Sequence, residues 1–381
     1  MSANTNICDI YKKCSGCQLQ NMSYEQQLIW KTGKCKKLLD KYGKVENIVG
    51  MKNPYHYRNK VQAAFTTKRD GKIVSGVFQS TKQTLVPVDS CLTEDKKCDE
   101  IVVTIRKMLK AYKLTTYNNI TGKGFLRHVL IKRGFATNEV MVVLVTGTPI
   151  FPAKKHFVNE LVKKHPEIKT IIHNINNKPT ALVLSTNEKI LYGKGFITDI
   201  LCGFKFRISA KSFYQINPVQ TEFLYNKAIE LAQLTGKETV LDAYCGIGTI
   251  GIIASKKAGN VIGVELNRDA TRDAIVNARE NGIKNIYFHT ADAGEFMTQM
   301  VNEPCDVVFM DPPRAGSTEE FLKSLCTLKP KTVVYISCNP ETLSRDLDYL
   351  TKNKYAVKKI LPVDMFPHTN HVECVVLLTK V

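Results

Sequence analysis

The stretch Leu241-Asp242-Ala243-Tyr244-Cys245-Gly246-Ile247-Gly248-Thr249 decides the fold. An apolar run over 238–241 leads through its glycines into a helical pattern over 249–257. A first strand therefore turns into a first helix at this point. Downstream the alternation continues. A strand-like run at 261–264 precedes a helical one at 268–281; further runs follow at 286–289 and 306–310, a helix near 317–325, a strand at 332–336, a helix near 341–350, and late strands at 357–361 and 372–378. Strand and helix in strict alternation imply right-handed βαβ units and a doubly wound, Rossmann-like α/β sheet. Its ligand belongs at the carboxyl ends of the strands.

Upstream the texture differs. Between 47 and 199 short alternating apolar runs (61–66, 73–78, 140–145, 181–184) are separated by turn residues, which predicts a β-rich α+β domain. Segments 25–42 and 94–112 read as helices. The expected organisation is an N-terminal cysteine segment (1–46), a β-rich central domain (47–210) and the α/β domain (211–381).

The chain carries 54 Lys plus Arg against 35 Asp plus Glu, a formal charge of +19, and such an excess favours polyanions, with nucleic acid the commonest. Residues 1–6 are polar, and no stretch approaches the run of about 20 apolar residues that crosses a bilayer. The expectation is a cytoplasmic chain with no membrane partner. Twelve scattered cysteines then point to metal binding or catalysis rather than a disulfide framework.

The glycine turn lacks both the full G-x-G-x-x-G spacing and the P-loop lysine, so phosphate cradling is not its obvious use. Gly246 lets a ligand approach the backbone. Glu265 closes the second strand about 20 residues on, where an acid can accept both ribose hydroxyls. Asp292 follows the third strand, suited to an adenine amino group, and Asp311 follows the fourth. A nucleoside cofactor without pyrophosphate fits, S-adenosylmethionine first; a dinucleotide-dependent oxidoreductase is the alternative.

Cys338 stands at the end of the fifth strand, in Tyr335-Ile336-Ser337-Cys338-Asn339-Pro340, just before a helix. A thiol at a strand end near a helix N-terminus can have its pKa lowered and be exposed to substrate. An inert buried thiol is nevertheless the ordinary fate of a lone cysteine. Asp311-Pro312-Pro313-Arg314 resembles the Asp/Asn-Pro-Pro-aromatic loop of amino-group methyltransferases, but Arg314 replaces the aromatic residue. That disfavours an exocyclic amine as acceptor and leaves room for covalent chemistry. Glu373, in His371-Val372-Glu373, is either a solvated strand-end acid or a base.

Ser337-Cys338-Asn339-Pro340 with Thr342, Arg345 and Asp346, the Asp311–Arg314 loop, and Phe366-Pro367-His368-Thr369-Asn370-His371-Val372-Glu373 resemble the RNA uracil-C5 methyltransferase family. So do Ser212-Phe213-Tyr214-Gln215-Ile216-Asn217 and Tyr244-Cys245-Gly246-Ile247-Gly248. The resemblance implies a class I methyltransferase domain that uses S-adenosylmethionine. Uracil C5 is a weak nucleophile until a thiolate adds at C6, and a base must afterwards remove the C5 proton. Cys338 is the implied nucleophile and Glu373 the implied base, with Gln215, Tyr244, Glu265 and Asp311 around the cofactor and target base. Phe213 would stack on a splayed-out nucleotide. His128, in Leu126-Arg127-His128-Val129, also falls in a recurring family segment, with a structural role as open to it as a functional one.

Cys8, Cys14 and Cys17 form C-x5-C-x2-C. Such spacing suits a tetrahedral sulfur site, zinc or iron–sulfur, with Cys91 or Cys98 as fourth ligand. The resemblance implies a [4Fe–4S] cluster on Cys8, Cys14, Cys17 and Cys91. It also implies RNA as partner, 23S rRNA ahead of transfer RNA, because cluster-bearing members act most often on ribosomal RNA. Many members begin with a small β-barrel RNA-binding domain, for which Cys8 leaves no room, so the basic central domain is expected to do more of the gripping. The chain is expected to act as a monomer. A catalytically silent RNA-binding iron–sulfur protein is the competing reading.

Overall fold

The computed structural model describes residues 7–79, 84–178, 180, 182–300 and 303–381. The polar segment 1–6 and Ala181 lie outside the described residues. Two N-terminal helices, α1 (Tyr11–Cys14) and α2 (Tyr24–Leu39), come first. A capping box opens α2: the Ser23 hydroxyl and the Gln26 side chain each satisfy the other residue's backbone N–H.

The central domain contains β1 (Lys60–Thr67), β2 (Ile73–Phe78), β3 (Leu85–Pro87), α3 (Lys96–Ala111), β4 (Leu126–Arg133), β5 (Val140–Thr146), α4 (Lys154–Lys164), β6 (Ile168–Ile175) and β7 (Glu188–Gly193). They form a sheet in the order β3-β2-β1-β4-β5-β6-β7, antiparallel except where α4 carries the chain from β5 to a parallel β6. Every residue of β5 is buried, which a strand achieves only when both faces are covered. Val140, Val142 and Leu144 pack with α3 and α4. Met141, Val143 and Val145 meet the hairpin of β8 (Phe196–Leu201) and β9 (Phe204–Ser209).

The run at 181–184 is not a strand over its described residues, 182–184. Side-chain donors hold this segment in place of a ladder. Arg127 Nη2 reaches the carbonyl of Thr180, and Asn176 Nδ2 reaches those of Leu182 and Val183.

The C-terminal domain runs α5 (Pro218–Ala232), β10 (Thr239–Ala243), α6 (Thr249–Ala254), β11 (Asn260–Glu265), α7 (Arg268–Glu280), β12 (Ile286–Thr290), α8 (Ala293–Gln299), β13 (Val307–Met310), α9 (Glu319–Leu328), β14 (Thr332–Ser337), α10 (Pro340–Lys352), β15 (Tyr355–Val363) and β16 (Glu373–Lys380). The sheet order is β12-β11-β10-β13-β14-β16-β15, parallel except for β16, which runs antiparallel between β14 and β15. Strand order reverses at β10, so a crevice opens beyond the carboxyl ends of β10 and β13.

Helix α2 does not stay with the central domain. Cys35 and Leu39, with Val45 and Ile48 beyond the helix, join the core that covers β14 and β16. Val45 and Val49 bridge Ile360 and Val363, adding a short parallel edge to β15. Among the described residues no helix is long and apolar enough to cross a membrane.

Candidate active site at the carboxyl ends of the strands

The turn after β10 is left-handed at Tyr244 (φ 66), Gly246 (φ 56) and Gly248 (φ 82). A Cβ on Gly248 would come within 2.9 Å of the Phe288 ring, so glycine is required there for space as well as conformation. The turn orients Glu265: Gly246 N–H donates to Oε2 (3.0 Å) and Asn267 N–H to Oε1 (2.7 Å). Beneath it, Asp242 is buried, with Oδ2 accepting from Gly251 N–H (2.7 Å) and Oδ1 without a hydrogen-bond partner. Burial, with Asp311 and Glu265 adding, pushes its carboxyl up to about 8. Its signal in the sequence was a single acid inside an apolar strand.

The crevice narrows to a cavity of about 40 Å³ whose lining includes Phe213, Gln215, Tyr225, Tyr244, Gly246 and Asp311. Gln215 Nε2 donates to the Tyr225 hydroxyl (3.4 Å). Tyr225, on α5, carries no motif that would single it out. Tyr244 packs against Phe321 with ring centroids 4.9 Å apart. Asp292 spends Oδ1 on capping α8, accepting from Gly294 and Glu295 N–H, which leaves Oδ2 uncommitted. Phe213, in contrast, is 63% exposed at the mouth.

Antiparallel pairing brings the thiol and the acid together. Ser337 of β14 faces Cys374 of β16, so Cys338 and Glu373 follow as neighbours at the strand ends. Asp311 arrives from the parallel neighbour β13, whose Met310 pairs with Tyr335. Glu373 is 2% exposed, which removes the solvated strand-end reading. Burial drives its carboxyl well above the usual range, and Asp311 adds to it. Burial raises Asp311 too.

The helix N-terminus does not lower the Cys338 pKa here. Burial, then the Glu373 and Asp311 carboxylates, push the thiol up to about 12, and Arg314 offsets only part of this. α10 does begin next to Cys338, but the Asn339 side chain caps it by accepting from Glu341 N–H. Desolvation and facing charge outweigh what remains of the helix field.

The Thr342, Arg345 and Asp346 motif proves to be a clamp on the Asp311–Arg314 loop. Buried Asp346 accepts from Ser317 N–H (2.9 Å), the Tyr335 hydroxyl (2.6 Å) and Arg345 Nε (2.8 Å). Thr342 Oγ1 donates to the Arg314 carbonyl (3.3 Å). The Arg314 guanidinium, a donor only, meets His371 Nδ1 at 3.0 Å. Burial and then that cation hold His371 down to about 4, so the ring is a neutral acceptor.

Cys8, Cys14, Cys17 and Cys91 line one cavity of about 420 Å³ together with Arg58 and Lys60, whereas Cys98 is buried in the core under the central sheet. Among the described residues no three His, Cys, Asp or Glu side chains converge as a group able to hold a metal ion. The expected cluster site is therefore a set of thiols around one cavity rather than a closed ligand shell. His128, on β4, is held down to about 4 by burial, with Nδ1 unpartnered.

A family model described as tRNA (Uracil-5-)-methyltransferase matches residues 23–381. An uncharacterized RNA methyltransferase of Clostridium acetobutylicum is 43% identical over 385 residues, spanning 98% of this chain and 83% of that relative. Another, from Bacillus cereus, is 40% identical over 381 residues, spanning 98% and 83%. The crystal structure of Pyrococcus abyssi tRNA (uracil-54, C5)-methyltransferase in complex with S-adenosyl-L-homocysteine superposes with a TM-score of 0.80 at 31% identity, covering 96% of this chain and 86% of that one. The chain belongs to the tRNA (uracil-5-)-methyltransferase family.

Proposed function

We propose that this chain transfers a methyl group from S-adenosylmethionine to C5 of a uracil in RNA, with Cys338 as nucleophile and Glu373 as proton acceptor. The observation that carries the reading is the meeting of Cys338, Glu373 and Asp311 beside the glycine-turn crevice. Glu265, its carboxylate aimed by two amides, holds the ribose of the methyl donor; Gln215, Tyr244, Gly246 and Asp292 line the rest of its site. Cys338 Sγ bonds to uracil C6 as the C5–C6 double bond opens toward O4. The thiol proton passes to the carboxylate pair and on to solvent, and Arg314 balances the charge that develops. C5 then takes the methyl group from the sulfonium donor, which leaves as the thioether. Glu373 removes the C5 proton, the C5–C6 double bond re-forms, and Sγ departs. A carboxylate with a raised pKa is a stronger base when ionised, and that suits removal of a carbon-bound proton.

The RNA is read as 23S rRNA, supported by the four-cysteine pattern; a transfer RNA substrate is the second reading, favoured by the Pyrococcus abyssi neighbour. The central domain (47–210) grips the RNA and the domain from 211 performs the chemistry, in a cytoplasmic monomer. Mass mapping of methylated uridines in total RNA, with and without the chain, tests activity and substrate together. Cys338→Ala should abolish methylation, and turnover by that variant would sink the covalent route.

The donor set of the 420 Å³ cavity, four thiols with Arg58 and Lys60, suits an anionic iron–sulfur cluster. A [4Fe–4S] cluster on Cys8, Cys14, Cys17 and Cys91 would cross-link the N-terminus to the central sheet and supplies no step of the methyl transfer. Protein purified anaerobically should contain iron and sulfide; colourless protein holding zinc would overturn the assignment.

A further inference from the structure

Glu373 is delivered by the loop 364–372, between β15 and β16. Residues more than 300 positions earlier hold that loop. Lys31 Nζ donates to the Phe366 carbonyl (3.0 Å) and to Asp364 (2.5 Å), and the Tyr57 hydroxyl donates to the Pro367 carbonyl (3.0 Å). Leu19 N–H donates to the His368 carbonyl (3.0 Å), and Asn370 N–H donates to Gln18 Oε1 (3.3 Å).

Gln27 lies at the centre of this contact and is 1% exposed. Its Oε1 accepts from His368 N–H (3.0 Å), and its Nε2 lies 3.2 Å from His368 Nδ1 and 3.1 Å from the Met22 carbonyl. His368 Nε2 lies 3.1 Å from the Pro54 carbonyl. A carbonyl accepts only, so Nε2 carries the ring proton and Nδ1 accepts from Gln27. One amide thus reads both the backbone and the ring of His368. That residue is left-handed at φ 68, a conformation costly for a non-glycine residue unless its surroundings hold it.

We infer that Gln27 is a positioning residue for the proton acceptor: by holding His368 left-handed it sets where the loop delivers Glu373, and with it His371 against Arg314. The inference rests on the reading of Glu373 as the base. Gln18 and Leu19 follow Cys17 and Tyr57 lies near Cys17 and Cys91, so the cysteine cavity borders this contact, whereas Gln27 and His368 do not line it. Placement errors of about 1 Å cost on the order of a hundredfold in rate. The loss should fall on resolution of the covalent adduct and not on RNA binding.

The test uses the full chain, S-adenosylmethionine and an RNA transcript carrying the mapped uridine. Glu373→Gln is the control and should accumulate protein–RNA conjugate on denaturing gels. Gln27→Ala should lower kcat by roughly tenfold to a hundredfold, leave KM for RNA within about twofold, and accumulate the same conjugate. Exposed Gln18→Ala, which removes the Asn370 tether together with a hydrogen bond to the Ser15 carbonyl and disturbs no core, should show a smaller kcat loss and faster amide hydrogen exchange at Asn370. Should Gln27→Ala fail to fold, Gln18→Ala decides by these two readouts. Conjugate with Glu373→Gln but unchanged kcat in both other variants overturns the positioning role, as does a change confined to KM. Absence of conjugate with Glu373→Gln overturns the base reading instead, and exchange across 366–372 in Gln27→Ala then tests the tether alone: unchanged exchange overturns it.

Discussion

The thiol of Cys338 should be a slow nucleophile until substrate arrives, and thiol–disulfide exchange measures this directly. Its surroundings raise it from an ordinary 9.0 to about 12. Three units leave about a thousandfold less thiolate at neutral pH. A more basic thiolate is intrinsically more nucleophilic, and a Brønsted slope of about 0.4–0.5 over three units restores roughly sixteen- to thirtyfold. The net expectation is exchange about thirty- to sixtyfold slower than for an exposed peptide thiol. With an aromatic disulfide and peptide mass mapping to isolate Cys338 from the other thiols, the rate should climb about tenfold per pH unit from 7 to 10 without a plateau, because a raised thiol stays protonated throughout that window. Glu373→Gln removes the larger of the two carboxylate contributions and should speed exchange; Arg314→Met removes the offsetting cation and should slow it further. Modification at the rate of a free peptide at pH 7, or an inflection below pH 9, would refute the argument from desolvation and facing charge.

Lys31→Met should destabilise the fold by about 3–5 kcal/mol in urea unfolding, because it leaves Asp364 buried without its cation. Adding Asp364→Leu should recover most of that loss, and equal stability of the single and double variants would show that packing and not charge matters there. Gly248→Ala should lower the melting temperature and weaken S-adenosylmethionine binding, since a Cβ meets Phe288 at 2.9 Å. Gly246→Ala, left-handed but with nothing within 4 Å, should lower the melting temperature less, at roughly the 1–2 kcal/mol cost of its backbone conformation.

The alternation of strand and helix after 238 was legible because each element declares itself within a few residues, by a short continuous apolar run or by a period near four. The glycine turn, the acid closing β11 and the cysteine closing β14 were legible for the same reason: position relative to a local element. Helix α8 was not read, being short and following directly on Asp292, its own cap. The run at 181–184 misled because alternation records only which residues are apolar. Whether a ladder partner or a buried Arg127 and Asn176 take up the backbone carbonyls is set elsewhere in the chain.

Sequence alone thus determined the order of the elements, the identity of the nucleophile and base as candidates, and the basic character that suits RNA. Tertiary structure decided how those groups ionise and where they point. A cysteine before a helix reads as activated until two carboxylates from β13 and β16 are folded against it. Glu373 reads as a strand-end acid until the fold buries it and α2 is seen to hold the loop that leads into it. Both facts arise from desolvation and from partners tens to hundreds of residues away, and no local periodicity encodes either.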